Sequence, residues 1–417
     1  MRRALLETAT LLLFTLCVCA AASDNSKAWL ELGELTASDG QANDGFGFSV
    51  ATSGSTIVVG ARQVVNSTVG PGAAYVFVEP AAGNTQTAEL TASDGQLGDE
   101  FGAAVAIVGD TIVVGAPKAN AAQGAVYVFV KPSGGWTNMT ETAKLTASDG
   151  MADDILGTSV AISSNIIVSG APQNRPSGYR SRTGKVYVFG EPNGGWKNMT
   201  ETESFAPPPK YDDEDEFGFS VAIVGTTLIA GAPLRGTGAV GIFDIRSGNE
   251  IGVLFLKNAP VDSNFGYQIA TTTNANLIVV SAPFQSVAGL QDVGALYVFE
   301  EPKGGWRTTA AYSAELTASD PSQFVGATLG GWPIAVSPSG AEVVAYGNNT
   351  DEVAVEYVFF KGSGPWKSAT QTYEITETND NALFGVALNG GVICAGAYNT
   401  TVNGNENQGA AFVFQFE

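Results

Sequence analysis

The sequence predicts an all-β fold, a seven-bladed β-propeller of four-stranded antiparallel blades, on three observations. A unit of about 56 residues recurs seven times, each copy holds four short apolar or alternating runs, and a spare strand at the amino end matches one missing at the carboxyl end.

Three markers define the unit, whose clearest copy runs from Glu89 to Pro132. Phe-Gly steps occur at 46–47, 101–102, 217–218, 265–266 and 384–385, with Leu156-Gly157 and a degenerate Phe324-Val325-Gly326 completing the set. Gly-Ala-Pro follows as Gly115-Ala116-Pro117, Gly170-Ala171-Pro172 and Gly231-Ala232-Pro233, with variants at Gly60, Ser281, Ala345 and Gly396. An aromatic run closes each copy, as in Tyr75-Val76-Phe77 and Phe412-Val413-Phe414.

Each strand reads differently. The first, as in Phe48-Ser49-Val50-Ala51, uses small residues and suits a crowded axis. The second, Thr111-Ile112-Val113-Val114-Gly115, is apolar without alternation, which indicates burial on both faces. The third, Val126-Tyr127-Val128-Phe129-Val130, carries large β-formers. The fourth, Ala88-Glu89-Leu90-Thr91, alternates and reads as half-exposed. The chain ends in a third strand at Phe416, while Leu30 to Leu35 form a fourth strand with no blade before it. The amino-terminal strand therefore completes the last blade, leaving no open sheet edge there. Residues 28–417 are expected to form one domain.

Composition narrows the function. With 44% hydrophobic residues the chain can bury a core, and 41 Asp+Glu against 20 Lys+Arg, net −21, disfavours nucleic acid or anionic lipid as partner. Histidine is absent, which removes Ser-His and Cys-His nucleophiles and imidazole metal ligands. Numerous carboxylates could in principle serve glycoside chemistry, but no pair stands out, and the expectation is a protein that is not an enzyme.

Arg2 and Arg3, an apolar stretch from Leu11 to Val18, and Ala20-Ala21-Ala22-Ser23 read as a signal peptide over residues 1–22. An uncleaved anchor and lipid attachment at Cys19 are the alternatives. Cleavage would leave Cys394 as the one cysteine, so no intrachain disulfide is expected. N-x-S/T sequons at Asn66, Asn138, Asn198, Asn348 and Asn399 are candidate glycosylation sites and agree with a secreted or cell-surface location. Beyond the leader no run reaches membrane-spanning length.

The spacing of Phe-Gly, Gly-Ala-Pro and Tyr-Val-Phe resembles the FG-GAP repeats of the integrin α-subunit N-terminal propeller over all seven units, and most nearly the short FG-GAP variety found in secreted proteins. It is not expected to be a true integrin, since the chain leaves no room for leg domains. The resemblance implies calcium loops between the Phe-Gly and Gly-Ala-Pro markers. Here those markers lie 13 residues apart in the first four units, and hairpin tips such as Ser53-Gly54-Ser55 lack the oxygen ligands calcium requires. No metal site or cofactor is carried over, although calcium at the other carboxylates stays open.

The acid lies between the fourth strand of one unit and the Phe-Gly of the next, where 16 carboxylates stand. These connections share one face of a propeller with those between second and third strands. The first acid of each loop, Asp39, Asp94 or Asp149, reads as Asp-Gly turn chemistry. The second, Asp44, Asp99 or Asp154, reads either as a solvated rim or as contact with a cation or basic ligand, and Asp212, Asp213 and Asp215 belong to a charged run after three prolines. These six are the candidate binding residues. Trp136, Trp196, Trp306 and Trp366 recur in the turn between third and fourth strands on the opposite face, either as packing between blades or as a sugar-stacking platform. The function expected is adhesion or binding of a protein or glycan partner through the acidic face. A passive wall or matrix component is the alternative, with a carboxylate-based polysaccharide enzyme further behind.

Overall fold

The computed structural model describes residues 29–65, 68–78, 84–174, 183–207, 215–257, 259–260, 262–319, 329, 333–348, 354–376, 383 and 385–416. The leader, Asn66, Asp212, Asp213 and the sixth Phe-Gly marker lie outside them.

Seven antiparallel sheets stand around an axis. Their inner strands are Phe46–Ser53, Ala104–Val108, Ser159–Ser163, Val221–Val224, Ile269–Thr271, Ile334–Val336 and Gly385–Asn389. Each touches the next in turn, and the seventh touches the first, so the ring closes. Small residues hold these positions because seven strands converge there, as the sequence pattern implies.

Closure takes the expected form. Trp29–Leu35 pairs antiparallel with Ala410–Phe416, from Trp29 opposite Phe416 to Leu35 opposite Ala411, with a bulge at Gly33. Phe416 is also in ring contact with Trp29 (5.1 Å), Phe360 (5.1 Å) and Tyr373 (5.5 Å), so an aromatic cluster seals the join between sixth and seventh blades.

The core lies between blades rather than in a single centre. Along the third strand of blade two, Tyr127 and Phe129 face the preceding blade's Val58 and Val76, whereas Val126 and Val128 face the next blade's Ile167 and Tyr187. Period-two alternation thus glues each sheet to both neighbours. Phe101 of the Phe-Gly step packs against Tyr127 (5.4 Å) and Phe129 (6.0 Å). The two glycine markers meet across blades: a Cβ added at Gly115 would run into the carbonyl of Gly157, which itself has φ 97°. That close backbone approach is the physical reason the repeat keeps glycine at both places.

One feature differs from the expected four strands. Met139–Thr140, Met199–Thr200 and Ala369–Thr370 add a fifth, parallel strand to the outer edge of the preceding blade. Asn138 Oδ1 accepts the Glu89 N–H (2.9 Å), and Glu141 accepts both the N–H and the hydroxyl of Ser93. Asn198 and Glu201 repeat these contacts on Lys144 and Ser148. The Asn-Met-Thr-Glu segment, read from sequence as a sequon, is therefore also a clasp between blades.

Candidate functional site

The acidic loops open onto one face, and the structure exchanges the roles read for their two acids. The second acid is the turn's inner pin. Asp44, Asp99 and Asp154 accept the N–H of Gln41, Gln96 and Met151 at 2.7–2.8 Å, and Asp154 also takes the Asn174 amide. Asp99, Asp154 and Asp215 are buried and Asp44 is half-buried, so these carboxylates point into the protein instead of forming a rim. Burial, set against the Gln41 bond, holds the Asp44 carboxyl above its ordinary value.

The first acid is the exposed one. Tyr75, Tyr127 and Tyr187 donate their hydroxyls to Asp39 (3.1 Å), Asp94 (2.9 Å) and Asp149 (2.6 Å). Lys144 and Lys185 add ion pairs to Asp94 and Asp149. Burial opposes ionisation of both carboxylates, but the lysine and tyrosine bonds prevail and hold them below the usual range. Blade one has Ala73 and Glu89 in place of those lysines, and burial together with Asp39 raises Glu89. Sequence alone missed this exchange because turn geometry, not residue type, decides which carboxylate turns inward.

In the first five units the residue just before the Phe-Gly marker lies in the left-handed region: Gly45, Glu100, Ile155, Glu216 and Asn264 have φ between 53° and 66°. Gly and Asn tolerate this conformation, whereas β-branched Ile155 is a genuine outlier. Glu100 and Ile155 both line the mouth of the central channel.

That mouth is a cavity of about 700 Å³ opening on the same face, between the first halves of the inner strands and the loops after the Gly-Ala-Pro markers. Phe48, Phe219, Tyr267 and Phe284 line it, all partly exposed. Phe219 and Tyr267 are neighbours at 4.5 Å, and Phe48 meets Tyr398 edge-on at 5.6 Å. The Arg62 guanidinium lies 3.9 Å over the Phe48 ring and 3.8 Å from Glu100. Lys118 stands exposed at the lip, at the base of a turn whose Asn120, Ala121 and Ala122 are also left-handed. None of these lining residues is among the six candidates from sequence. The signal that could have found them is the position after Phe-Gly, which varies as Phe48, Ala103, Thr158, Phe219 and Tyr267 while the rest of the strand stays small.

On the opposite face the four repeated tryptophans are buried, and Trp306 and Trp366 donate to the carbonyls of Ala275 and Gly340 in their own blades' hairpins. They are packing, which removes the sugar-platform reading for these rings. Asn138, Asn198 and Asn399 are exposed and Asn348 is half-buried. Among the described residues no three acidic or cysteine side chains converge as a metal cage, and no helix is long and apolar enough to cross a membrane.

Residues 29–77, 84–129 and 139–189 match the family model for the FG-GAP repeat. These three matches fall within a closed seven-bladed ring, which is consistent with an integrin-like FG-GAP propeller. Among solved structures it is similar to the crystal structure of RRP9 WD40 repeats, with 9% identity, TM-score 0.61, and coverage of 92% of this chain and 97% of that one. At that identity the likeness is one of fold alone. No curated protein matches. The FG-GAP propeller fold suggests a binding or adhesion module.

Proposed function

We propose that this protein is a secreted or cell-surface propeller that binds a protein or glycan partner through its loop face, with the channel mouth at the centre of the contact. The observation that carries this reading is the open cavity lined by half-exposed aromatic rings, since concave apolar sites with a few polar groups are where proteins take ligands. FG-GAP repeats are typical of extracellular proteins. The signal-like leader and the exposed Asn138, Asn198 and Asn399 support secretion with glycans, which at Asn138 and Asn198 would crowd the far face and leave the loop face free. The exposed Asp39, Asp94 and Asp149 lie on the same face beside the first three blades as a fringe of carboxylates, two of them paired with Lys144 and Lys185. Binding without turnover fits a sequence that offers no histidine.

The test is capture of partners on protein and glycan arrays by the mature chain, compared with a Phe219→Ala/Phe284→Ala variant and an Asp39→Asn/Asp94→Asn/Asp149→Asn variant. Loss of capture with either variant supports the loop face, the first locating the contact at the mouth and the second at the fringe. Full capture by both variants would sink the reading.

A further inference from the structure

We propose that the channel mouth is a pocket for a carboxylated sugar, such as a uronic acid at a glycan terminus. This rests on the loop-face reading above and names the ligand chemistry of that same site.

Charge comes first. The charged side chains lining the cavity, Arg62, Lys118 and Glu100, sum to +1, with Glu216 beside Tyr267 outside the lining, while the whole chain carries −21. A local reversal of sign inside an acidic molecule selects for an anionic group and against a basic one. It also selects for a single charge rather than a polyanion: charges beyond roughly 8 Å are screened at physiological salt, but an extended polyanion would leave the cavity for the surface of a chain that carries −21 overall.

The two cations are differently prepared. Arg62 is fixed by the Phe48 ring below it, and its contact with Glu100 at 3.8 Å is too long for a hydrogen bond. Its Nε is buried without a hydrogen-bond partner. The exposed end of the guanidinium is therefore the part that can meet a carboxylate in the cavity. Lys118 is exposed and enters no ion pair among the described residues, so it adds a mobile second charge at the lip. The strained turn that follows, tied to the next blade by Ile155 N–H donating to the Ala122 carbonyl, fixes where that lysine leaves the backbone.

Arg62 and Lys118 belong to the first two blades, and Phe219, Tyr267 and Phe284 to the fourth and fifth, so aromatic faces stand across the cavity from the cations. Gln268 adds an amide beside them. A ligand that fills this space needs an apolar flank for the rings, hydrogen-bonding groups for the amide, and one carboxylate at its far end. A pyranose uronate has a C–H face, hydroxyls and a carboxylate in that arrangement, and the cavity has room for one or two such rings.

The experiment titrates the mature protein with D-glucuronate and D-galacturonate by calorimetry and ligand-observed NMR, with glucose, acetate and an acidic peptide as separate arms. The expected result is saturable uronate binding with a Kd of about 1 mM or tighter, and at least about tenfold weaker binding of glucose and acetate. Lys118→Gln and Phe284→Ala should each weaken uronate binding by about tenfold while the thermal midpoint holds, and added salt should weaken it further. Absence of saturable uronate binding, or uronate binding unchanged in both variants, overturns the proposal. Equal or tighter binding of the acidic peptide overturns the sugar assignment. If the arrays show a loop-face partner while uronates fail, this inference falls and the broader reading stands.

Discussion

Glu356 is the most informative residue for the energetics of this ring. It sits in the third strand of blade six, fully buried, where the corresponding strands carry Ala74, Val126, Val186, Val240, Leu296 and Ala411. Neither carboxyl oxygen has a hydrogen-bond partner among the described residues. It lies on the sheet face of Val358, against the seventh blade's Val386 and Ala395. Burial pushes its carboxyl well above the ordinary value. The sign follows: a raised folded value means the native state binds a proton the unfolded chain gives up, so stability is full below the unfolded value and falls as pH rises through the folded one. Above about 4.3, each pH unit costs about 1.4 kcal/mol while the buried group stays protonated. Glu356→Val, the residue three sibling blades use, removes this term and also the unpaired acid, worth about 1–3 kcal/mol at any pH. The variant should therefore be more stable by about 1–3 kcal/mol near pH 4, with a margin that widens as pH rises above the unfolded value, measured by urea unfolding with matched m-values. An unchanged pH slope in the variant would refute the reasoning, because the carboxyl would then be ionised and paired in the native state.

The remaining predictions concern the join, the loops and calcium. Phe416→Ala removes three aromatic contacts at the closure and should cost about 2–4 kcal/mol in chemical unfolding; less than 0.5 kcal/mol would mean the seam is not held there. Asp154→Asn keeps the size but weakens the charged acceptor for Met151 and Asn174, so stability should drop by about 1–3 kcal/mol while partner capture at saturating stability is unchanged, the reverse of what a contact residue would show. Calcium or chelator should leave the thermal midpoint where it was, because the inward acids already accept backbone donors; a calcium-dependent rise of several degrees would show that the exposed carboxylates assemble a site.

Much of this architecture is written in the repeat. Phe101-Gly102 and Gly115-Ala116-Pro117 can be read because they record a backbone contact that tolerates no side chain, and contacts of that kind must recur wherever two blades meet. The closure is readable for a similar reason, since a strand without a blade at one end needs a blade without a strand at the other. The candidate site was less legible. Asp44 and Asp39 are the same residue type five positions apart, and only the left-handed turn at Asn43 and Gly45 decides that Asp44 is a pin and Asp39 faces water. The channel mouth was hidden for a different reason: Arg62, Lys118, Phe219 and Phe284 are far apart in sequence and occupy variable positions, so no motif joins them until the ring closes. The clasp at Asn138 was masked by a sequon that spells the same residues.

The central claim is that recognition occurs on the loop face around the open end of the channel. Hydrogen–deuterium exchange of the mature protein with and without a captured partner tests it directly. Protection should concentrate in the segments around Glu100, Lys118, Ile155, Tyr267 and Phe284. Protection confined to the hairpin tips near Gly54, Gly109 and Gly225 and the turns around the buried tryptophans would place the partner on the other side of the wheel and contradict the account.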